Sequence, residues 1–215
     1  EQLMKHYFNP ASRGAITNWL LEELKVPHER IYIDLAASEN DTPAFRKLNP
    51  MGKLPVLVDD GAVVTEVAAI CAYLADKFPL ANLAPPPGST ERAIYYRYLF
   101  VTGNTIEPAI TLYASGISHP DPKTAGWGDI DRVLTTIEQM VPKHDWVLGA
   151  AFSAADVVFG GLLDSVLRFG LIPVSSKVGQ YVARIRDRPA YQIAYGARGT
   201  GSVSYTHLTL PTTLT

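Results

Sequence analysis

The stretch Asn49-Pro-Met-Gly-Lys-Leu-Pro-Val-Leu-Val58, Asp59-Asp60-Gly61, Ala62-Val-Val-Thr65, Glu66-Val-Ala-Ala-Ile70 decides how the whole chain is read. Two short runs of aliphatic and β-branched residues flank an acidic pair and a glycine, the residues that a tight two-stranded turn requires. This predicts a β-hairpin. From Glu66 onward Ala69, Ile70, Tyr73 and Leu74 recur at helical spacing as far as Phe78, and Pro79 stops the helix.

Working toward the N-terminus, Thr42-Pro43 offers an N-cap and a first helical position for a short helix through Leu48. Arg30-Ile-Tyr-Ile-Asp34 reads as a strand from its β-branched and aromatic content. Before it, Ser12 can cap a helix carrying Ile16, Trp19, Leu20, Leu21 and Leu24, with Pro27 after its end. Met4-Lys-His-Tyr-Phe8 is an opening strand, stopped at Asn9-Pro10 because proline cannot donate to a ladder. The order is therefore β-α-β-α-β-β-α.

Toward the C-terminus, Pro85-Pro-Pro-Gly88 is a stiff linker, since consecutive prolines favour extended polyproline backbone. Beyond it every periodic segment is helical: residues 89–113, 129–141, 153–169 and 177–188, with Pro189 opening another. Ser153-Ala-Ala-Asp156 has the spacing of a capping box. The expected organisation is an α/β N-terminal domain at 1–80, a linker at 81–88 and an all-helical domain at 89–201. Residues 202–215 have no periodicity and resemble one reading frame of a sequencing-library adapter, so a non-native tail is expected there.

Composition narrows the function classes. Nineteen Lys and Arg against 21 Asp and Glu give a net charge of -2 with no basic stripe, so nucleic acid is not an expected partner. No apolar stretch has the length of a membrane helix, and the start lacks a signal-peptide pattern; neither a membrane nor secretion is expected. The single cysteine, Cys71, permits no internal disulfide, fits a reducing, cytoplasmic setting and reads as a small buried hydrophobe. The five histidines show no paired ligand spacing, and no metal is predicted.

The opening stretch, together with Trp19-Leu-Leu-Glu-Glu23, Gly149 and Phe152-Ser-Ala-Ala-Asp156, resembles the cytosolic glutathione S-transferase family. Arg13-Gly14, the proline linker and Tyr95-Tyr96-Arg97 are similar to its bacterial branch. The resemblance implies a thioredoxin-like N-terminal domain, an all-helical C-terminal domain and glutathione as co-substrate. It also implies a homodimer, with Met51 in the loop where relatives insert an apolar key into the partner.

For the site, the resemblance implies that Pro55 follows a cis bond and that the Leu54 amide and carbonyl pair with the cysteinyl backbone of glutathione, strand-fashion. The amides of Glu66 and Val67 at a helix start suit the γ-glutamyl carboxylate, and Glu66 its ammonium. Lys53 and Arg13 are candidates for the glycyl carboxylate. Position 67 departs from the family pattern: a serine hydroxyl usually donates there, and Val67 cannot. A lost bond to a charged group costs about 1.5–3 kcal/mol if nothing replaces it. Three residues compete to hold the glutathione thiolate: Ser12 in the strand-to-helix turn, Tyr7 near the end of the strand, and Asn9 beside Pro10, with Arg13 in reserve.

The implied activity is conjugation of the glutathione thiolate to a small, largely apolar electrophile. Two other readings share the same features. One is a non-catalytic binding or regulatory module, since fold does not fix function. The other is a glutathione-dependent isomerase or dehalogenase, which differs only in the electrophile.

Overall fold

The computed structural model describes residues 3–118, 121–173 and 175–196, so the expected tail at 202–215 lies outside the described residues. The chain divides into two compact units, one running to Ile70 and resumed from Pro189, the other spanning Cys71–Arg188.

In the first unit, β1 (Met4–Phe8), β2 (His28–Tyr32), β3 (Val56–Asp59) and β4 (Ala62–Thr65) form one sheet in the order β2-β1-β3-β4. β1 runs parallel to β2 and antiparallel to β3, and β3 pairs antiparallel with β4. β2 starts two residues earlier than the sequence suggests, because Met4 pairs with His28 and Phe8 with Tyr32. It also ends earlier, at Tyr32 rather than at the expected Asp34, where β1 ends at its partner Phe8; the Asp34 carboxylate instead accepts the amides of Ala36 and Ala37 and bends the chain into a turn. Asp60 and Gly61 have φ of 47° and 80°, the left-handed pair that the hairpin turn needs.

α1 (Gly14–Leu24) follows β1, and Trp19, Leu20 and Leu21 along it are fully buried. α2 (Pro43–Leu48) is capped by Thr42, whose hydroxyl accepts the Phe45 amide. Phe45 joins Tyr7, Ile31, Ile33 and Val56 in an apolar cluster. The returning α9 (Pro189–Gly196) packs on α1, with Tyr191 edge-on to Trp19 at 5.4 Å. α3 (Val67–Lys77) begins in this unit.

The second unit is helical. After α3 come α4 (Thr90–Val101), α5 (Glu107–Ala114), α6 (Ile130–Met140), α7 (Ala154–Phe169) and α8 (Ser176–Arg186). The predicted helix at 89–113 is present but interrupted: residues 102–106 are π-helical, and the Glu107 amide reaches back to the Thr102 carbonyl. Pro108 supplies the reason, since its ring cannot donate and crowds the carbonyl four residues earlier, which a widened turn relieves.

Two polar devices and one close helix contact hold this unit. Arg92 is buried and grips Asp76 through both carboxylate oxygens, at 2.6 and 2.7 Å, while also donating to the Pro85 carbonyl. The proline stretch is thus tied to α3 and α4. The fully buried Asp164 on α7 takes Arg168 and Arg186, each at 2.7 Å. Gly160 lets α8 approach α7, because a methyl there would overlap the Ile185 side chain.

The predicted capping box at α7 is complete. Asp156 accepts the Ser153 amide at 3.0 Å, and Ser153 caps the helix through its own hydroxyl. Asp156 also accepts the Val147 amide and the Tyr181 hydroxyl, each at 2.9 Å. Burial raises this carboxyl to about 6 despite those bonds, which act to lower it.

Candidate functional site

Strand pairing brings the sequence-predicted residues to one end of the sheet. Tyr7, Val56 and Thr65 lie in one row across β1, β3 and β4. Within two residues of that row β1 runs into Asn9–Arg13, β3 is entered from Lys53-Leu54-Pro55, and β4 leaves into Glu66-Val67. All three candidate segments therefore meet at the same edge, within the first unit.

The β1–α1 turn is closed by its own side chains. The Asn9 carboxamide donates to the Ile33 carbonyl (2.9 Å) and accepts the Ala11 amide (2.8 Å). The Ser12 hydroxyl donates to the Asn9 carbonyl (2.7 Å) and accepts the Gly14 amide (3.0 Å). α1 starts after Ser12, and the N-cap position is Arg13, whose side chain makes no cap bond. Gly14 is required by closeness, since a Cβ there would stand 2.8 Å from Cβ of Phe8 and 3.0 Å from Oγ of Ser12.

Tyr7 has a different environment. Its ring lies against Phe45 at 6.2 Å in the cluster beneath α2 and is 9% exposed. Burial, then the charge of Glu29, raises its phenol above the ordinary value. Beside it a void of about 70 Å³ opens among Tyr7, Ile33, Glu39, Thr42, Ala44, Phe45 and Leu48.

The adjacent His6 faces the other way and is fully buried. The Thr17 hydroxyl gives its proton to the Gly14 carbonyl, so the 2.7 Å contact with Nε2 is one in which His6 donates. Nδ1 is left as a buried acceptor without a partner among the described residues. Burial, with His28 and Arg30 adding like charge, lowers this imidazole to about 3, and it stays neutral.

On the β3 side the Leu54–Pro55 bond is cis. Lys53 is exposed and Leu54 half-buried. Sequence reading assigned no role to the residues that hold this loop: Asn49 bonds the Met51 amide and the Lys53 carbonyl, Asn40 the Gly52 carbonyl and Arg46 the Pro50 carbonyl. The only advance signal was a helix ending in Asn before Pro. On the β4 side Glu66 has φ of 70°, a left-handed conformation uncommon for a residue with a side chain. Its carbonyl accepts the first helical bond of α3, from Ile70 at 2.9 Å, so the amides of the first turn point out of the helix start.

Cys71 is buried, and burial pushes its thiol well above the ordinary value, as a small core residue requires. Among the described residues no group of three or more His, Cys, Asp or Glu could hold a metal ion, and no helix is long and apolar enough to cross a membrane.

Comparison with known proteins bears on this arrangement. The glutathione S-transferase N-terminal domain family matches residues 15–77. Glutathione S-transferase GstA of Escherichia coli O157:H7 is 25% identical over 204 residues, covering 91% of this chain and 99% of that protein. Maleylacetoacetate isomerase of Dictyostelium discoideum is 27% identical over 178 residues, covering 77% and 81%. A sphingomonad glutathione S-transferase, solved in complex with glutathione, superposes with a TM-score of 0.73 at 28% identity, covering 92% of this chain and 100% of that one.

Proposed function

Because the chain belongs to the cytosolic glutathione S-transferase family, we propose that it binds glutathione at the sheet edge just described and transfers the thiolate to a small, largely apolar electrophile. The observation that carries this reading is the meeting of three segments at one edge: the β1–α1 turn, the Leu54 backbone and the start of α3.

In this reading the glutathione backbone pairs with Leu54 as an added strand. Its γ-glutamyl carboxylate takes the first-turn amides of α3, where aligned peptide dipoles favour negative charge, and Glu66 takes its ammonium. Lys53 and Arg13 face the glycyl carboxylate. With Val67 in place of a hydroxyl donor, backbone amides carry the carboxylate alone.

Ser12 is our choice for holding the sulfur. It is half-exposed in the turn, whereas Tyr7 is packed under α2 and the Asn9 carboxamide is tied at both ends. The Ser12 hydroxyl would turn from the Asn9 carbonyl to donate to sulfur. A thiol titrates near 8.5, so a depression of about two units leaves most of it ionised at neutral pH. The thiolate then attacks carbon; a new C–S bond forms, and a leaving group departs or a proton is taken up.

The similarity to a maleylacetoacetate isomerase supports a second reading, in which thiolate addition is followed by loss of the same sulfur and the product is an isomer. A dehalogenase or a non-catalytic module would use the same site. We further propose a homodimer in the cytoplasm, with Met51, 71% exposed, as an apolar contact to the partner.

The test is calorimetry with glutathione on the full chain, followed by assays with a chloronitrobenzene and with a cis-dienoic acid. Binding with conjugation supports the transferase reading, and turnover of the dienoic acid alone supports the isomerase. Binding without turnover supports the module; no binding at millimolar glutathione overturns the site.

A further inference from the structure

Asn49 ends α2 as its C-cap and is buried, although it lies at the base of a surface loop. Its Oδ1 accepts the Met51 amide at 3.1 Å and its Nδ2 donates to the Lys53 carbonyl at 2.9 Å. These two partners fix which end of the carboxamide is which, because an amide N–H needs an acceptor and a carbonyl needs a donor. The peptide unit joining Lys53 to Leu54 is trans, since the cis bond lies one residue later. In a planar trans unit the carbonyl and the following N–H point in opposite directions. By holding the Lys53 carbonyl, Asn49 therefore turns the Leu54 N–H away from the protein side of the loop. That N–H has no acceptor among the described residues.

We propose that Asn49 is a positioning residue: it aims the Leu54 N–H at the carbonyl of the glutathione cysteinyl residue. This rests on the functional reading above. Asn40 and Arg46 hold the same loop through the carbonyls of Gly52 and Pro50, neither of which belongs to the peptide that ends in the Leu54 N–H. The aim therefore depends on Asn49 in particular.

The wild-type dissociation constant for glutathione is measured first; a wild type that does not bind sinks the functional reading and this one with it. Asn49→Asp keeps an acceptor for the Met51 amide but sets a carboxylate against the Lys53 carbonyl. It should raise the glutathione Kd and KM about tenfold, the loss of one well-aimed bond, while kcat at saturating glutathione and the thiol titration stay within about twofold. Asn40→Ala should stay within about twofold of wild type throughout. Wild-type affinity in Asn49→Asp, or an equal loss in Asn40→Ala, would overturn the proposal. Should Asn49→Asp fail to fold, amide NMR of the wild type decides: glutathione should move the Leu54 amide proton downfield and leave Gly52 in place, and an unmoved Leu54 signal overturns it.

Discussion

His6 in the sheet-bearing unit and Asp156 in the helical unit are both titratable groups buried at a structural junction, and their surroundings treat them in opposite ways. Among the described residues His6 has one bond, to Thr17, and an Nδ1 without a partner, with positively charged groups nearby. Asp156 is met by four donors: two backbone amides and the hydroxyls of Ser153 and Tyr181. The first is tolerated by staying neutral and the second by being bonded on all sides. The difference teaches that burial by itself predicts little; what surrounds the group decides whether losing it matters.

The sharpest test of that contrast is removal of the well-bonded group. Asp156→Ala deletes half of the capping box and leaves the Val147 amide and Tyr181 hydroxyl without their acceptor, for an expected loss of roughly 3–5 kcal/mol in denaturant unfolding. A loss below about 1 kcal/mol would mean that the surrounding donors find water or other partners.

Acid should separate the two groups next. The His6 pKa is about 3 when folded against an unfolded value of 6.5, so between these values only the unfolded chain takes up the proton. Its contribution is complete above 6.5 and is lost as pH falls, by up to about 1.4 kcal/mol per unit. Asp156 is about 6 folded against 3.8 unfolded, so the folded chain takes the proton first and stability is gained as pH falls through 6. Relative to wild type, His6→Gln should therefore become more stable on going from pH 6.5 to 4.5, and Asp156→Asn less stable from 6 to 4. Parallel pH profiles for both variants and wild type would break the comparison.

Glycine contacts give a smaller effect in both units. Gly160→Ala forces Ile185 aside and Gly14→Ala presses on Phe8, each costing about 1–3 kcal/mol in thermal or denaturant unfolding. Only Gly14→Ala should also raise the KM for glutathione, because it displaces the turn carrying Ser12. Least of all, Gly61→Ala, at φ of 80° in open space, should cost about 1 kcal/mol and leave glutathione binding untouched.

What could be read from the chain was what local chemistry decides. The Asp60-Gly61 turn and the Ser153–Asp156 capping box need only neighbours a few residues apart, and both formed as expected. The segments of the candidate site were legible for a similar reason, because a contiguous motif carries two of the three. Features set by distant pairing were not legible. The start of β2 is decided by its register with β1, and Pro108 signals a disturbed helix without saying that the relief is a π turn. The choice between Ser12 and Tyr7 turns on Tyr7 being packed against Phe45 of α2 while Ser12 stays half-exposed in its turn, and the bonds of Asn49 exist only once α2 and the loop have met.

The return of α9 to the first unit has a consequence for how the protein is made. Trp19 stands against Tyr191, so the opening α/β unit is not complete when its own strands have been synthesised. At ribosomal rates of about 5–20 residues per second the entire helical unit must emerge first, a delay of roughly ten seconds. During that interval Trp19 on α1 waits for its Tyr191 cover. Of the two units, the one that carries the candidate site is therefore begun before the other and completed after it.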